Sequence, residues 1–505
     1  MPGGLNFDFT FGGAPRATRR EPDSPLRILV LGSFSGRNQP GEDLARRPVR
    51  RIDLDSFDAA LHQCAAAVAF APGAGQPAVP VPMESLDHFH PDELYARLPL
   101  FQALRDTRAR LQNPGTFAAA AAELRQQAAA PALPGQETTQ AAPAVGDTDT
   151  INRLLGRPTG SAPASPGSGA QRPDLQSLIR SIVAPHIVSN EMPFQQQYLA
   201  AIDDAAGDLM RGLLHMPAFQ SLEANWRGVR QLVDALDLDD TVRLDLVDVT
   251  KEELRADLER AGRELPNSGL HRLLASRAQA APEPHAWSLL VGLYSFGPTE
   301  ADVGMLAAIG SIAAQNGSPF LAAAESSVIG CASLVETPEP AAWKTSAEAD
   351  KAWNALRSSA VARSIGLAMP RVLMRLPYGK STVVTDRFAF EELQGARTHE
   401  QLLWANPALA CALLLGRSFM EAGWEMEPGG ELEIDDLPAY TRNEEGESRL
   451  QACAEAFISE RAAQAILDRG VMPFLSFRNR SAIRVMRLQS LASPPAPLAG
   501  PWRAG

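Results

Sequence analysis

Residues 3–13, GGLNFDFTFGG, alternate strictly: Leu5, Phe7, Phe9 and Phe11 fall on one side of an extended chain, and Asn6, Asp8 and Thr10 on the other. A period of two is the signature of a strand. The following APRATRREPDSP is charged and proline-bearing and holds neither a second strand nor a hairpin turn. The pattern therefore predicts a strand whose partner lies elsewhere in the molecule or in a neighbour.

Further along, apolar runs alternate with helical periods. LRILVLGSFSG (26–36) is a continuous apolar run closed by Gly and Ser, which predicts a strand buried on both faces and ended by a tight turn. In the next stretch Asp55 or Ser56 can cap a helix carrying Phe57, Leu61 and Cys64 at helical spacing. PAVPVPM predicts a proline-interrupted edge strand, and SLDHFHPDELYARLPLFQALRDTRARLQ one or two helices. These elements make a first α/β unit, 26–114, behind an arm of residues 1–25 that carries the free strand.

From 115 to 173 the composition turns to Ala, Pro, Gly, Gln, Ser and Thr. Such a stretch cannot bury enough apolar area to offset its ordering entropy. We expect a disordered Ala/Pro-rich linker, with a short helix around Phe117–Gln127. Residues 174–493 form the second unit. It opens on helices to about residue 236, with Leu199, Ile202, Leu209 and Leu213, then Phe219, Leu222, Trp226, Val229 and Val233 at spacings of three and four, divided by Pro217. Strands are expected at VRLDLVDV and WSLLVGLYSF, and a helix capped by Thr250 between them. A helix with an Asn-Gly stop and a strand follow in DVGMLAAIGSIAAQNGSPFLAAA. SIGLAMPRVLMRLPYG is a further apolar segment, NPALACALLLGRSFMEAGW a buried helix and GVMPFLSFRNRSAIRVMRLQSL a terminal strand or pair. Residues 494–505 read as a disordered or loosely attached tail. The fold class is α/β: two units with mostly parallel or mixed sheets covered by helices, joined by the linker.

Composition narrows the functions. A chain of 505 residues with 45% hydrophobic content can bury real cores and suggests about two to four domains. The net charge of -12 opposes a phosphate backbone, so nucleic acid is not an expected partner. Cys64, Cys331, Cys411 and Cys453 show no Cys-x-x-Cys spacing, which fits buried thiols in a reducing compartment. Without a signal-peptide pattern or an apolar run of membrane-spanning length, the expected location is cytoplasmic, with no membrane insertion.

Candidate chemistry is sparse. YGKST (378–382) matches the second half of a phosphate loop, but the required first glycine falls at Met374. GSFSG carries Phe34 where a nucleophile elbow needs serine. His88 and His90 lie among Asp87, Asp92 and Glu93. There Pro91 suits a first helical turn and the acids suit a helix N-terminus, a better fit than a metal cluster. His215 reads as a packed or capping histidine. We therefore expect no catalytic, cofactor-binding or metal residue, and no cofactor. A doubly wound enzyme would bind its ligand near Gly32–Gly36 or Gly292–Gly297, glycines that otherwise read as turns.

Two groups of segments carry a resemblance. LLHMPAFQSLEANWRGVRQLVD (213–234) with LDLVDVTKEELRADLERA, then WSLLVGLYSFGPTEADVGMLAAIGSIAAQNGSPFLAAA, IGLAMPRVLMRLPYG, LLWANPALACALL and GVMPFLSFRNRSAIRVMRLQSL, resembles the large subunit of the type VI secretion contractile sheath. LNFDFTFGG, LRILVLGSFSGR, RRIDLDSFDAAL and MESLDHFHPDELYARLPLFQALRDTRARL resemble the small subunit. The chain thus looks like a small-subunit unit fused to a large-subunit unit. The resemblance implies a structural, non-enzymatic role in an oligomer or hetero-assembly, with other sheath or baseplate subunits and the inner tube protein as partners. It further implies that Leu5, Phe7, Phe9 and Phe11 form a strand exchanged between protomers, in keeping with the readiness of an unpaired edge to pair with another chain. A large subunit is expected to continue well past RLQSL, so the resemblance also allows a cap or accessory of the sheath. The alternatives are a regulatory adaptor that binds sheath subunits and, from another class, the α/β enzyme.

Overall fold

The run LRILVLG forms β1 (Leu26–Gly32), and both of its neighbours in space come from far downstream. The computed structural model describes residues 9, 20–37, 41, 43–73, 76–128, 195–280, 286–394, 399–444 and 447–502. After β1 come β2 (Arg50–Ile52), α1 (Phe57–Gln63), β3 (Ala67–Phe70), β4 (Val79–Pro82), α2 (Pro91–Arg97), α3 (Pro99–Gln112) and α4 (Pro114–Ala128). The later part contributes α5 (Gln195–Leu214), α6 (Pro217–Ala235), β5 (Val242–Asp248), α7 (Lys251–Ala261), α8 (Gly269–Ala280), β6 (Leu289–Phe296), α9 (Glu300–Asn316) and β7 (Phe320–Ala324). These are followed by α10 (Ala347–Arg357), β8 (Ile365–Met369), β9 (Val372–Leu373), β10 (Trp404–Ala405), α11 (Pro407–Ala422), β11 (Glu433–Ile434), β12 (Thr441–Glu444), β13 (Glu447–Leu450), α12 (Glu460–Asp468), β14 (Val471–Ser476) and β15 (Ile483–Val485).

The fold is α/β with one large, mostly parallel sheet in the order β11-β15-β14-β8-β7-β6-β1-β5-β2. Only β2, β15 and β11 join it antiparallel. The strands of the first stretch therefore do not build a separate main sheet. β1 and β2 enter the sheet of the second stretch, while β3 and β4 pair only with each other among the described residues. Burial on both faces explains the largely apolar runs of β1, β6 and β7. One face, with Leu29, Leu31, Val247, Phe296 and Phe320, packs under α7, α8, α9, α10 and α12. On the other, α11 lies across β6, β7, β8 and β1 and touches α6. Gly228 permits that crossing, since a Cβ there would overlap Leu409.

Local signals behave as their chemistry dictates. Thr250 and Glu253 close a reciprocal capping box on α7, and Gly317, at φ +65°, ends α9 in the left-handed conformation. The helix expected at Phe117–Gln127 runs Pro114–Ala128. The end of the chain differs from expectation: residues 494–502 are not loosely attached, because Leu498 and Trp502 are buried. Ala499 N–H donates to the Arg363 carbonyl (2.8 Å), and Leu498 fills the space that Gly366 leaves above β8. Two large apolar side chains within a proline-rich stretch suffice to dock it.

The contacts divide the chain into two units, 1–70 with 78–98 and 207–505, and 71–77 with 99–206. The described part of the second is mostly helical. In it Arg108 of α3 grips Asp203 of α5 through two bonds (2.6 and 3.0 Å), and Phe117 of α4 meets Tyr198 edge-on at 6.0 Å. The Gln195 side chain donates to the last carbonyls of α3, Leu111 and Gln112 (2.7 and 3.0 Å), which lack helical partners.

Candidate assembly interface

The main contact between the two stretches is the seam along β1. Leu26 to Gly32 pair in register with Val242 to Asp248 on one side, and Ile28 to Leu31 with Leu289 to Gly292 on the other. Where β1 ends, the Asp248 carboxylate accepts the N–H groups of Phe34 and Ser35 (2.8 and 3.1 Å) and is paired with Arg37. Arg47 donates to the Asp248 carbonyl (2.7 Å) and, with Arg37, clamps Glu253. Burial works to raise the Glu253 pKa, but these two guanidiniums and the N–H groups of Gly41 and Thr250 hold it far below the ordinary range. Strands β5 and β6 leave β1 on opposite sides, which makes this the crevice where a doubly wound enzyme takes its ligand. Here the chain fills it with its own ion network. The other candidate glycines are also committed: Gly292 lies against the Phe320 ring and Gly297 against Glu325.

Aromatic and polar contacts extend the seam. Trp226 of α6 is fully buried, meets Phe34 and Phe57 edge-on at 5.1 and 5.7 Å, and donates Nε1–H to the Phe34 carbonyl at 2.9 Å. Trp424 donates in the same way to Ser24 (2.7 Å). A strap at 378–392 grips α2. Asp92 accepts the N–H groups of Asp386 and Arg387 (2.9 and 3.0 Å), and Tyr95 stacks on Phe388 at 4.3 Å. His90 caps α2 by accepting the Asp92 N–H at 3.2 Å, and His88 accepts that of Glu84 at 3.1 Å, so both rings serve the backbone. In YGKST the amides likewise serve carboxylates: Tyr378 N–H donates to Glu392 (2.7 Å) and Lys380 N–H to Glu391 (3.1 Å). Beneath the strap, Arg375 bridges Glu223 (2.8 Å) and Glu392 (2.8 and 3.0 Å), all three buried.

A cavity of about 450 Å³ opens at the carboxyl ends of β6, β7 and β8, lined in part by Glu325, Cys331, Arg371, His399, Glu400 and Glu455. His399, Glu400 and Glu455 bring their ligand atoms within 4.8 Å of one another. They do not suit a cation. Arg371 already occupies both carboxylates, at 2.9 Å from Glu400 and in close contact with Glu455, and its own N–H donates to Glu455 at 2.8 Å. The cluster ties three distant stretches of chain together.

Burial would raise the Glu455 pKa, yet His399 and Arg371 hold it at about 2. Glu392 is also held at about 2, by Arg375 and His215 against its burial. Both values lie below that of an unfolded glutamate, so the stability they supply is full above about pH 4.3 and is lost as pH falls toward 2. The thermal midpoint should therefore drop between pH 5 and pH 2, and less steeply in Glu455→Gln. Equal slopes would show that this carboxylate is not among the linked groups.

Of the residues assigned to strand exchange, Leu5, Phe7 and Phe11 lie outside the described residues. Phe9 is half-buried against the core under α7 to α10 and is in no strand. Among the described residues the large sheet ends in short edges, three residues at β2 and two at β11. Pro80 and Pro82 remove donors from β4. Among the described residues β12 and β13 pair only with each other. The strap, the Arg375 network and the Arg371 cluster were missed from the sequence. One signal was available: Glu223 stands on the apolar stripe of α6, between Phe219 and Trp226, where a charge needs a buried partner.

Comparison with known proteins matches the family described as "EvpB/VC_A0108, tail sheath N-terminal domain" over residues 196–492. A second family, described as "Type VI secretion system, VipA, VC_A0107 or Hcp2", matches residues 6–130. The type VI secretion system sheath protein TssC1 of Pseudomonas aeruginosa is 32% identical over 318 residues, covering 59% of this chain and 61% of that protein. The chain thus spans less than two thirds of the length of this relative.

Proposed function

Because this chain belongs to the tail-sheath family of type VI secretion, we propose that it is a structural, non-enzymatic sheath component in which both subunit types are carried on one chain. The observation that supports this most is the position of β1: a strand from the stretch matching the second family lies between β6 and β5, inside a sheet built mostly by the stretch matching the first. Its partners are further sheath subunits, with baseplate and tube proteins beside them. The location is cytoplasmic, in keeping with the lack, among the described residues, of a helix long and apolar enough to cross a membrane. Electron microscopy of the purified chain, alone and with separate sheath subunits, tests the proposal. Filaments, rings or end-bound particles support it. A monomer that binds nucleotide or metal stoichiometrically counts against it.

Assembly in this reading runs through Leu5, Phe7, Phe9 and Phe11, which leave their own chain and add to a neighbour's sheet edge. Deleting residues 1–13, or replacing Phe9 with proline to remove a ladder donor, should abolish assembly while circular dichroism shows a folded monomer. Assembly at the wild-type level after the deletion removes strand exchange from the account.

A further inference from the structure

We infer that the first segment of one chain, residues 20–128, can seat on the 195–502 segment of a second copy, giving reciprocally exchanged pairs. In the helical unit Gln195 sits on the last carbonyls of α3, at the corner where α4 begins. α4 has 15 residues and is therefore about 22 Å long. A link from its end at Ala128 back to Gln195 needs about seven extended residues. The chain spends residues 129–194 on it, roughly nine times as many. Fully extended, that connection reaches at most about 220–240 Å.

The interface itself does not distinguish a chain's own first segment from another's. β1 in its slot, the Arg37 and Arg47 clamps on Glu253, Trp226 on Phe34 and the Asp92 bonds to the strap are all non-covalent. A second copy presents the same groups in the same places. In dilute solution the tether favours closure within one chain, since it holds the two segments at an effective concentration on the order of millimolar. Exchange competes where copies lie side by side at comparable density, and a closed exchanged pair loses none of these contacts. This goes beyond the sheath reading, which requires only the N-terminal strand to be shared.

Two full-length variants test the inference. Arg108→Cys and Asp203→Cys divide an ion pair whose side chains are 33% and 44% exposed, one on α3 and the other on α5. The native cysteines are all buried, and co-expressed wild-type chains give the background with a short bismaleimide. The double variant on one chain should close internally, which shows that the pair reacts and the chain is folded. The two single variants, differently tagged, co-expressed and concentrated, should yield a two-chain product that the wild type lacks. A second divided pair, Arg51→Cys and Asp245→Cys, stands opposite in the β2–β5 ladder and repeats the test by direct disulfide formation. Only single-chain products from both divided pairs, at every concentration and in any sedimenting assembly, overturn the inference. Should assemblies form without the two-chain product, exchange falls and the sheath reading stands.

Discussion

Replacing Arg375 with alanine is expected to destabilise the chain by about 3–5 kcal/mol, because it strands two buried carboxylates. Glu223 and Glu392 are 0% and 1% exposed and face the guanidinium from two elements distant in sequence. Arg227 keeps one bond to Glu223 (2.7 Å), and the Tyr378 N–H keeps one to Glu392, but neither replaces the central charge. The effect is electrostatic, so it has an internal control. Removing all three charges together, as Arg375→Met with Glu223→Gln and Glu392→Gln, should cost less than the single change, since no carboxylate is left unpaired in the interior. Chemical denaturation of both variants measures the difference. A triple variant as unstable as Arg375→Ala would mean that packing, and not charge, sets the loss.

Trp226→Ala should cost about 3–5 kcal/mol by a different route, the loss of a large side chain at a site with no access to water. Its ring fills the angle between Phe34 and Phe57, and its Nε1–H supplies the Phe34 carbonyl. The damage should fall on the seam. With a protease site engineered into residues 129–194, the cleaved wild type should elute from gel filtration with both pieces together, while cleaved Trp226→Ala should release the first piece. Arg108→Ala offers the contrast: its ion pair is partly exposed and is worth roughly 0–1 kcal/mol. Pieces of cleaved wild type that separate at micromolar concentration would show that the tether, and not the seam, holds the segments together.

The elements were largely legible in the sequence, because their signals are local. Burial on both faces made β1 and β6 largely apolar runs, and Thr250, Pro217 and Gly317 marked helix ends by known chemistry. Pairing between elements was not legible. Nothing in LRILVLG says whether its ladder partners are residues 67–70 or 242–248, because a strand buried on both faces accepts any apolar neighbour of matching length. The cluster of Arg371, His399, Glu400 and Glu455 stayed hidden for a related reason: its members meet only after the chain has crossed the sheet, and each alone reads as a solvated charge. The proline-rich end was misread because composition averages over Leu498 and Trp502, the two positions that dock it. The candidate assembly strand was the clearest pattern in the chain, yet only Phe9 of its four apolar residues is described.

The position of β1 has a consequence for how the protein is made. A ribosome delivers this segment first, but the strands that flank it, beginning at Val242 and Leu289, emerge only after more than two hundred further residues. At ordinary elongation rates that is an interval of roughly 10–50 s. During it a naked, β-prone stretch with no proline and a single charge waits without cover, the kind of sequence that nucleates aggregates. Nascent-chain chaperones are therefore expected to govern the yield of this protein, and slowing translation before Val242 should lower it.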